Sequence, residues 1–133
     1  MKIIYCDMVA DLFHYGHANF LKQCSELGDY LIVGIHSDND VESYKRKPIL
    51  SFEERIKVVK ACKYVDKVIK GPLIVTTELL EKYKIDYVVH AHDKTDNSYD
   101  NLYKNIPNNK FIRVDYSKGI STTDIIKRIK DSL

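Results

Sequence analysis

The sequence predicts an α/β fold in which a doubly wound parallel sheet forms a single domain over residues 1–133. Short apolar runs alternate with amphipathic segments along the chain, and this alternation favours parallel strands joined by right-handed helical crossovers. The apolar runs are continuous, which is typical of strands that are buried on both faces. A chain of 133 residues is also long enough to build one hydrophobic core without disulfides.

Five runs have the length and the β-branched content of strands, and they span residues 2–6, 30–36, 65–69, 86–91 and 111–114. Four helices are predicted from the spacing of apolar residues, over residues 18–27, 52–63, 77–84 and 122–132. Gly28 is expected to end the first helix, and Ser51 and Glu54 form a capping-box pattern at the start of the second. We expect a loop over residues 94–109, with one short helix near residues 99–105.

Charge and cysteine content exclude several classes of protein. The chain has 21 Lys and Arg against 19 Asp and Glu, and a net charge of +2 is too small to indicate a nucleic-acid groove or an anionic membrane surface. Its three cysteines lack a C-x-x-C pair, so neither a disulfide framework nor a zinc site is predicted. No apolar stretch approaches the roughly 18 residues needed to span a bilayer. We expect a soluble, cytoplasmic protein that binds no nucleic acid and does not insert into membranes.

The first candidate site follows the first strand, where the pattern His-x-Gly-His comprises His14, Gly16 and His17. An open parallel sheet presents its ligands at the carboxyl ends of its strands, and the next helix begins here with free N–H groups and a partial positive charge. Gly16 allows the backbone to turn closely around an anion. The two imidazoles could donate hydrogen bonds to a triphosphate. Two surface histidines that flank a turn would give the same pattern.

A second candidate site lies at the start of the last predicted helix, where Ser121, Thr122 and Thr123 supply hydroxyls beside free backbone amides. Helix capping alone would also explain Ser121. If this segment meets the first motif at the sheet edge, it could hold the β- and γ-phosphates of a nucleotide while the histidines address the α-phosphate.

These two segments resemble the signature motifs of the cytidylyltransferase family, which includes the ethanolamine-phosphate, choline-phosphate and glycerol-3-phosphate enzymes. The residues that carry the resemblance are His14-Tyr15-Gly16-His17 and Lys118-Gly119-Ile120-Ser121-Thr122-Thr123. Residues 28–38, 54–55, 64–66 and 75–77 are most similar to the amino-terminal half of the ethanolamine-phosphate enzymes. The resemblance implies a Rossmann-like domain that binds CTP with Mg²⁺ and transfers a cytidylyl group to a phosphorylated small alcohol, most closely phosphoethanolamine, with release of pyrophosphate.

The same resemblance assigns roles to individual residues. It implies that His14, His17 and Lys45 are catalytic and that Arg55 helps to hold substrate or phosphates, and Lys118 is a further candidate for binding them. The basic run at residues 45–48 could equally be a solvated charge cluster, and Arg55 could simply pair with a nearby acid. The nucleotide is expected to contact Asp11, Gly16, His92, Asp93, Gly119, Ile120, Ser121, Thr122 and Thr123.

Two of these expectations have alternatives. His90, His92 and Asp93 end a predicted strand, and strand alternation places both histidines on one side of it. No further pair of ligands has suitable spacing, so no protein metal site is predicted. For the region of Asp93 the resemblance implies contact with cytosine or ribose. Asp11 could orient a histidine, hold Mg²⁺ through water or make a turn hydrogen bond.

The sequence also departs from the family motifs. Tyr116 and Ser117 stand where the second motif begins with Arg-Thr, and Met8 and Ala10 stand where the first has Gly and Phe. Arg113 is expected to face away from the site, whereas Lys118 could compensate for the missing arginine. These changes leave open an altered substrate, weak activity, or a nucleotide-binding module without catalysis. An adenylyltransferase would share the first motif but fits the second less well.

The resemblance also bears on assembly. The ethanolamine-phosphate enzymes carry two such domains, whereas this chain has one. Single-domain members of the family pair their sheets, so we expect a homodimer.

Overall fold

The computed structural model describes residues 1–133 and contains one five-stranded, fully parallel sheet with the strand order β3-β2-β1-β4-β5. The strands are β1 (Ile3–Met8), β2 (Tyr30–Ile35), β3 (Lys67–Lys70), β4 (Tyr87–Ala91) and β5 (Phe111–Val114). The chain builds outward from β1 to β3 and then returns to place β4 on the other side of β1. The predicted α/β fold with a doubly wound parallel sheet is therefore confirmed. Ligands bind such sheets at the carboxyl ends of the strands where the order reverses, here β1 and β4.

Four α-helices lie between the strands, and a fifth follows β5: α1 (Tyr15–Glu26), α2 (Asp38–Glu42), α3 (Phe52–Lys60), α4 (Thr77–Tyr83) and α5 (Thr122–Ser132). The helix α2 was not predicted, because five residues are too few to show helical periodicity; Ser37 caps it by accepting a hydrogen bond from Asp40 N. The capping box of Ser51 and Glu54 is present at the start of α3. The loop after β4 contains two short 3₁₀ turns, at Asp100–Tyr103 and Asn108–Lys110. None of the helices has the length and apolarity that a membrane crossing requires.

Two hydrophobic clusters cover the two faces of the sheet. Alternate residues of β1 divide between them, with Ile4 and Cys6 in one cluster and Tyr5 in the other. The first cluster includes Leu21 of α1 and Val59 of α3, and the second includes Leu80 of α4. Burial on both faces explains why the strands are continuously apolar. The two layers fix the helix starts and loops relative to the carboxyl edge of the sheet.

Gly28 follows the last residues of α1, as predicted, but it does not have the positive φ angle that commonly selects glycine after a helix. A Cβ atom at this position would lie 2.6 Å from Ile4 Cγ1 and 2.8 Å from the Lys2 carbonyl oxygen. The glycine is required because the backbone passes closely against β1.

Candidate active site

A cavity of about 510 Å³ opens at the carboxyl edge of the sheet, beside the ends of β1 and β4. Its walls come from the turn between β1 and α1, the connection that follows α2, the loop after β4 and the start of α5. This volume is in the range that accommodates a nucleotide-sized ligand. The cavity therefore lies where an open parallel sheet is expected to bind its ligand.

His14 and His17 form a reciprocal cap at the start of α1. His14 Nδ1 accepts a hydrogen bond from Gly16 N, and His17 Nδ1 accepts one from His14 N, each at 3.1 Å. The two ring centroids lie 3.9 Å apart. Because each Nδ1 accepts a hydrogen bond, each neutral ring carries its own proton on Nε2. This cap starts α1 at Tyr15, three residues before the predicted start.

The electrostatic surroundings keep both rings neutral. Partial burial lowers the pKa of His17 to about 4, and the neighbouring His14 and Lys45 add to this effect. Partial burial also lowers the pKa of His14. Phe13 stacks on His17 with a centroid distance of 5.4 Å and holds its ring in place. At neutral pH the pair thus presents two Nε2–H donors to the cavity that both residues line.

The start of α5 lies next to the start of α1. Ser121 caps α5 by accepting a hydrogen bond from Asp124 N at 3.0 Å, and residues 120–123 line the cavity. A Cβ atom on Gly16 would lie 3.2 Å from Ile120 Cγ2, which shows how closely the two turns approach. Gly119 precedes the helix with a φ angle of +93°, a conformation that favours glycine. Both helix starts therefore contribute to one cavity.

Asp11 links three segments of the site. Its buried carboxylate accepts hydrogen bonds from Ile49 N at 2.8 Å and Leu50 N at 2.9 Å. Its backbone carbonyl accepts a hydrogen bond from the Thr122 hydroxyl at 2.8 Å. Of the three roles considered for Asp11, hydrogen bonding to backbone is the one seen, although the bonds reach a distant segment and not its own turn. Asp11 fixes the connection before α3 and the start of α5 around the β1–α1 turn.

Lys45 and Arg46 lie at the mouth of the cavity and line it. The Lys45 ammonium is 5.6 Å from the centroid of the Tyr44 ring. Arg46 Nη1 is 3.4 Å from the Thr123 hydroxyl, across the cavity from its own segment. Packing of protein atoms around the ammonium lowers the pKa of Lys45, and the positive charge of Arg46 lowers it further. Both cations are placed to meet an anion.

Arg55 does not line the cavity. Its fully buried guanidinium donates to Asp38 Oδ1 at 2.7 Å, to the Val9 carbonyl at 2.8 Å and to the Leu50 carbonyl at 3.1 Å. The expected contact with substrate or phosphates is not what the structure shows, since these bonds turn the guanidinium into the protein. The alternative, pairing with a nearby acid, describes its position.

Three other expected contacts also lie outside the cavity lining, together with Gly119. His92 is buried, and its Nδ1 is 2.9 Å from His90 Nδ1. The exposed Asp93 accepts hydrogen bonds from the backbone and hydroxyl of Thr95, which lower its pKa and close a local turn. Lys118 is exposed. His90, not His92, lines the cavity; His92 comes directly after the last residue of β4.

Sequence reasoning missed the polar floor of the cavity. Asp7 is buried on β1 and accepts a hydrogen bond from the Tyr103 hydroxyl at 2.6 Å. His36 Nε2 donates to the other Asp7 oxygen at 3.2 Å, and the Tyr44 hydroxyl lies 2.9 Å from His36 Nδ1. A polar residue inside an apolar strand, as at Asp7, and another directly after one, as at His36, were the available signals.

An aromatic wall adjoins this floor. The Tyr99 and Tyr103 rings lie 4.5 Å and 5.1 Å from the His90 ring, between centroids. Burial lowers the pKa of His90 to about 4. The Tyr116 hydroxyl is 3.1 Å from the Tyr99 hydroxyl, so the residue at the place of the motif arginine closes the wall with an uncharged side chain. No three His, Cys, Asp or Glu side chains are grouped so as to hold a metal ion.

A sequence model of the family described as Cytidylyltransferase-like matches residues 6–128. The ethanolamine-phosphate cytidylyltransferase of Mus musculus is 37% identical over 129 residues, covering 95% of this chain and 32% of that protein. The corresponding protein of Dictyostelium discoideum is 38% identical, with coverages of 95% and 36%. Choline-phosphate cytidylyltransferase A of Mus musculus is 40% identical over 133 residues, with coverages of 95% and 36%.

The chain therefore spans about a third of the length of these relatives. A solved structure, the lipopolysaccharide core biosynthesis protein from Thermoplasma volcanium GSS1, superposes with a TM-score of 0.73 at 23% identity. The superposition covers 89% of this chain and 99% of that one. At this identity the likeness shows a shared fold.

Proposed function

The chain belongs to the cytidylyltransferase-like family, and on that premise we propose that it transfers a cytidylyl group from CTP to a small phosphorylated alcohol. The products are a CDP-alcohol and pyrophosphate. The observation that carries this proposal is the reciprocal cap of His14 and His17, which leaves two Nε2–H donors at a cavity that the start of α5 also lines.

The proposed mechanism depends on stabilising the negative charge that develops around the α-phosphorus during the reaction. A phosphate oxygen of the acceptor attacks the α-phosphorus of CTP in line, a new P–O bond forms, and the bond to the bridging oxygen of pyrophosphate breaks. The Nε2–H groups of His14 and His17 donate to the oxygens around the α-phosphorus and stabilise their growing charge. Lys45, at the mouth, adds a positive charge. The site accelerates the reaction by positioning and charge stabilisation, without a covalent intermediate.

The start of α5 supports a second part of the proposal. Backbone N–H groups without a partner in the helix, together with the positive end of the helix dipole, make a helix start a ready site for anions. Thr122 and Thr123 add hydroxyls, and both line the cavity. We propose that this segment binds the β- and γ-phosphates and holds the pyrophosphate leaving group in line with the bond that breaks.

The acceptor that fits best is a phosphorylated amino alcohol, with phosphoethanolamine as the proposed substrate. Asp7 lines the cavity and supplies a buried carboxylate, and Tyr99 and His90 supply aromatic faces beside it. A cation is attracted both to a carboxylate and to the faces of aromatic rings. Glycerol-3-phosphate has no cation to place there. Two of the relatives are named ethanolamine-phosphate cytidylyltransferase and choline-phosphate cytidylyltransferase, and each of these phosphorylated alcohols carries a cation.

We propose that Mg²⁺ binds together with CTP. Both Asp11 oxygens accept hydrogen bonds from backbone N–H groups, and both Asp7 oxygens are likewise engaged, so the site offers no free carboxylate cage. These residues fit an ion that is held chiefly by phosphate oxygens, as Mg²⁺ commonly is. When bound, Mg²⁺ would neutralise charge on the phosphates.

The direct test incubates the protein with CTP, Mg²⁺ and, in turn, phosphoethanolamine, phosphocholine and glycerol-3-phosphate, and measures pyrophosphate. We expect release with phosphoethanolamine, less with phosphocholine and least with glycerol-3-phosphate. ATP in place of CTP serves as the nucleotide control. Absence of pyrophosphate with every acceptor would refute the proposed activity, and a preference for ATP would favour an adenylyltransferase.

A second candidate function is a nucleotide-binding module that does not turn over. Tyr116 and Met8 favour it, since both line the cavity at places where the family motifs have arginine and glycine. Calorimetry that detects CTP binding, together with no pyrophosphate release under the same conditions, would select this function. Absence of CTP binding would reject both candidates.

We also propose that the chain acts as a homodimer. Light scattering should then give twice the mass of 15.5 kDa that one chain has. A mass equal to one chain would reject the dimer.

A further inference from the structure

We propose that Arg46 is a phosphate-binding residue of this site, which holds the terminal phosphates of the nucleotide together with Thr123 at the start of α5. The inference rests on the proposed function for the identity of the ligand. The family resemblance indicated no role for Arg46, whereas it implied a catalytic role for the adjacent Lys45.

The cavity lining contains few positively charged side chains. Of the 21 Lys and Arg in the chain, only Lys45 and Arg46 line the cavity. The lining also contains the carboxylates of Asp7 and Asp11, so it has no excess of fixed positive charge. A triphosphate carries several negative charges that must be met by cations or hydrogen-bond donors. Without Arg46, Lys45 would be the only basic side chain there.

Other arginines that could take this role are already engaged. Arg55 is buried with three protein acceptors. Arg113 donates to the His92 carbonyl at 2.8 Å and to Asp115 at 2.7 Å. Arg128 pairs with Asp124 at 2.7 Å on the surface of α5. None of the three lines the cavity.

Arg46, by contrast, has no carboxylate partner. Its one side-chain hydrogen bond is the 3.4 Å approach to the Thr123 hydroxyl, which is long for such a bond. A guanidinium presents five N–H donors in a planar fork that matches phosphate oxygens. A phosphate placed between Arg46 and the start of α5 would accept from both.

The backbone around Arg46 is held in position on both sides. Lys45 N donates to the Val41 carbonyl at 2.8 Å, at the end of α2. Ile49 N and Leu50 N donate to the Asp11 carboxylate. Only three residues lie between Lys45 and Ile49, and from this short segment the Arg46 side chain reaches the Thr123 hydroxyl at the start of α5.

Lys47, in the same short segment, does not line the cavity. Like Arg46, it is positively charged and lies between the same two backbone anchors, so it provides a matched control. A general effect of charge on this loop would appear in both Arg46→Ala and Lys47→Ala, whereas a specific phosphate contact would appear only in the first.

The experiment measures dissociation constants of CTP, CMP and inorganic pyrophosphate by calorimetry, for the unaltered chain and for Arg46→Ala, Arg46→Lys and Lys47→Ala. Loss of a charge-assisted contact predicts about 10- to 100-fold weaker binding of CTP and pyrophosphate to Arg46→Ala. Binding of CMP, which lacks the terminal phosphates, should be unchanged. Arg46→Lys should fall between, because it keeps the charge and loses the fork. Lys47→Ala should bind like the unaltered chain.

The outcomes separate the inference from the proposed function. Equal loss of affinity for CTP and CMP in Arg46→Ala, or equal losses in Arg46→Ala and Lys47→Ala, would overturn the role of Arg46. A chain that releases no pyrophosphate from CTP, but binds inorganic pyrophosphate through Arg46, would refute the proposed activity and support the phosphate site. Thermal unfolding of each variant establishes that the fold is retained.

Discussion

His14 and His17 hold each other at the start of α1, with each Nδ1 accepting a backbone hydrogen bond at 3.1 Å and the ring centroids 3.9 Å apart. The arrangement fixes the tautomer of both rings, because an Nδ1 that accepts a hydrogen bond leaves Nε2 to carry the proton. The same contacts that begin the helix therefore leave two Nε2–H donors on residues that line the cavity. Structure and chemistry are coupled in one turn.

Because His14 both caps α1 and carries an Nε2–H donor, a suitable substitution should remove the donor and keep the cap. Asparagine is a good N-cap residue but lacks Nε2. His14→Asn should keep the thermal midpoint close to that of the unaltered chain, while pyrophosphate release falls by about 10²- to 10³-fold, the usual cost of one transition-state donor. His14→Ala should lose both activity and about 1 kcal/mol of stability. Full activity in His14→Asn would contradict the role assigned to Nε2.

The depressed pKa of His17 predicts a loss of stability in mild acid. The ring titrates near pH 4 in the folded chain and near 6.5 when unfolded. Between these values the unfolded chain binds more protons, so acidification favours unfolding. From pH 7 to pH 5 the unfolding free energy should fall by about 1 to 2 kcal/mol through His17 alone. Urea unfolding at both pH values measures this change.

His17→Gln provides the control for the pH effect, because glutamine can still complete a capping box but does not titrate. The difference in unfolding free energy between pH 7 and pH 5 should be smaller in this variant. His90, whose pKa is also lowered to about 4, remains in the variant and accounts for part of the remaining slope. An unchanged pH dependence would show that His17 is not the group responsible.

Arg55 is predicted to act on stability and not on nucleotide affinity. Its removal leaves the Val9 and Leu50 carbonyls without their donor and opens a cavity in the interior. Arg55→Ala and Arg55→Lys should each lower the unfolding free energy, the former by about 3 kcal/mol. The CTP dissociation constant of the folded protein should change little. A variant with unchanged stability but weakened CTP binding would restore the phosphate-binding role that the sequence suggested.

Asp7 is predicted to select an acceptor with an ammonium group. Asp7→Asn keeps the shape of the side chain but removes its charge, so kcat/KM for phosphoethanolamine should fall by about 10²-fold. Binding of CTP should be preserved. Tyr103→Phe, which removes the hydrogen bond at 2.6 Å but keeps the carboxylate, should have a smaller effect. Equal losses with phosphoethanolamine and glycerol-3-phosphate would indicate a structural role only.

The fold class was predictable because the signals for it are local and repeated. Each strand is built around a short apolar run, and each long helix has apolar spacing or a recognisable cap. The start of α1 could not be placed, since a histidine pair is an unusual cap and its geometry depends on two rotamers. The helix α2 has only five residues, from Asp38 to Glu42, and its signal is correspondingly weak.

The site was predictable in part. The motif residues that follow β1 and precede α5 meet at one cavity because the ends of parallel strands share an edge. Which side chain faces that cavity is decided by burial and by the turn of the chain after each strand. Strand alternation placed His90 and His92 on one side but could not show that only His90 reaches the cavity. Spacing likewise could not show that Arg55 turns inward.

The central claim is that two helix starts, at Gly16 and at Ser121, bind one triphosphate. A crystal structure of the protein with CTP and Mg²⁺ tests it directly. We predict that the α-phosphate accepts hydrogen bonds from Nε2 of His14 and His17, and that the terminal phosphates contact residues 121–123 and Arg46. Phosphates held instead by Lys118 or Arg113, or a nucleotide bound away from these turns, would contradict the claim.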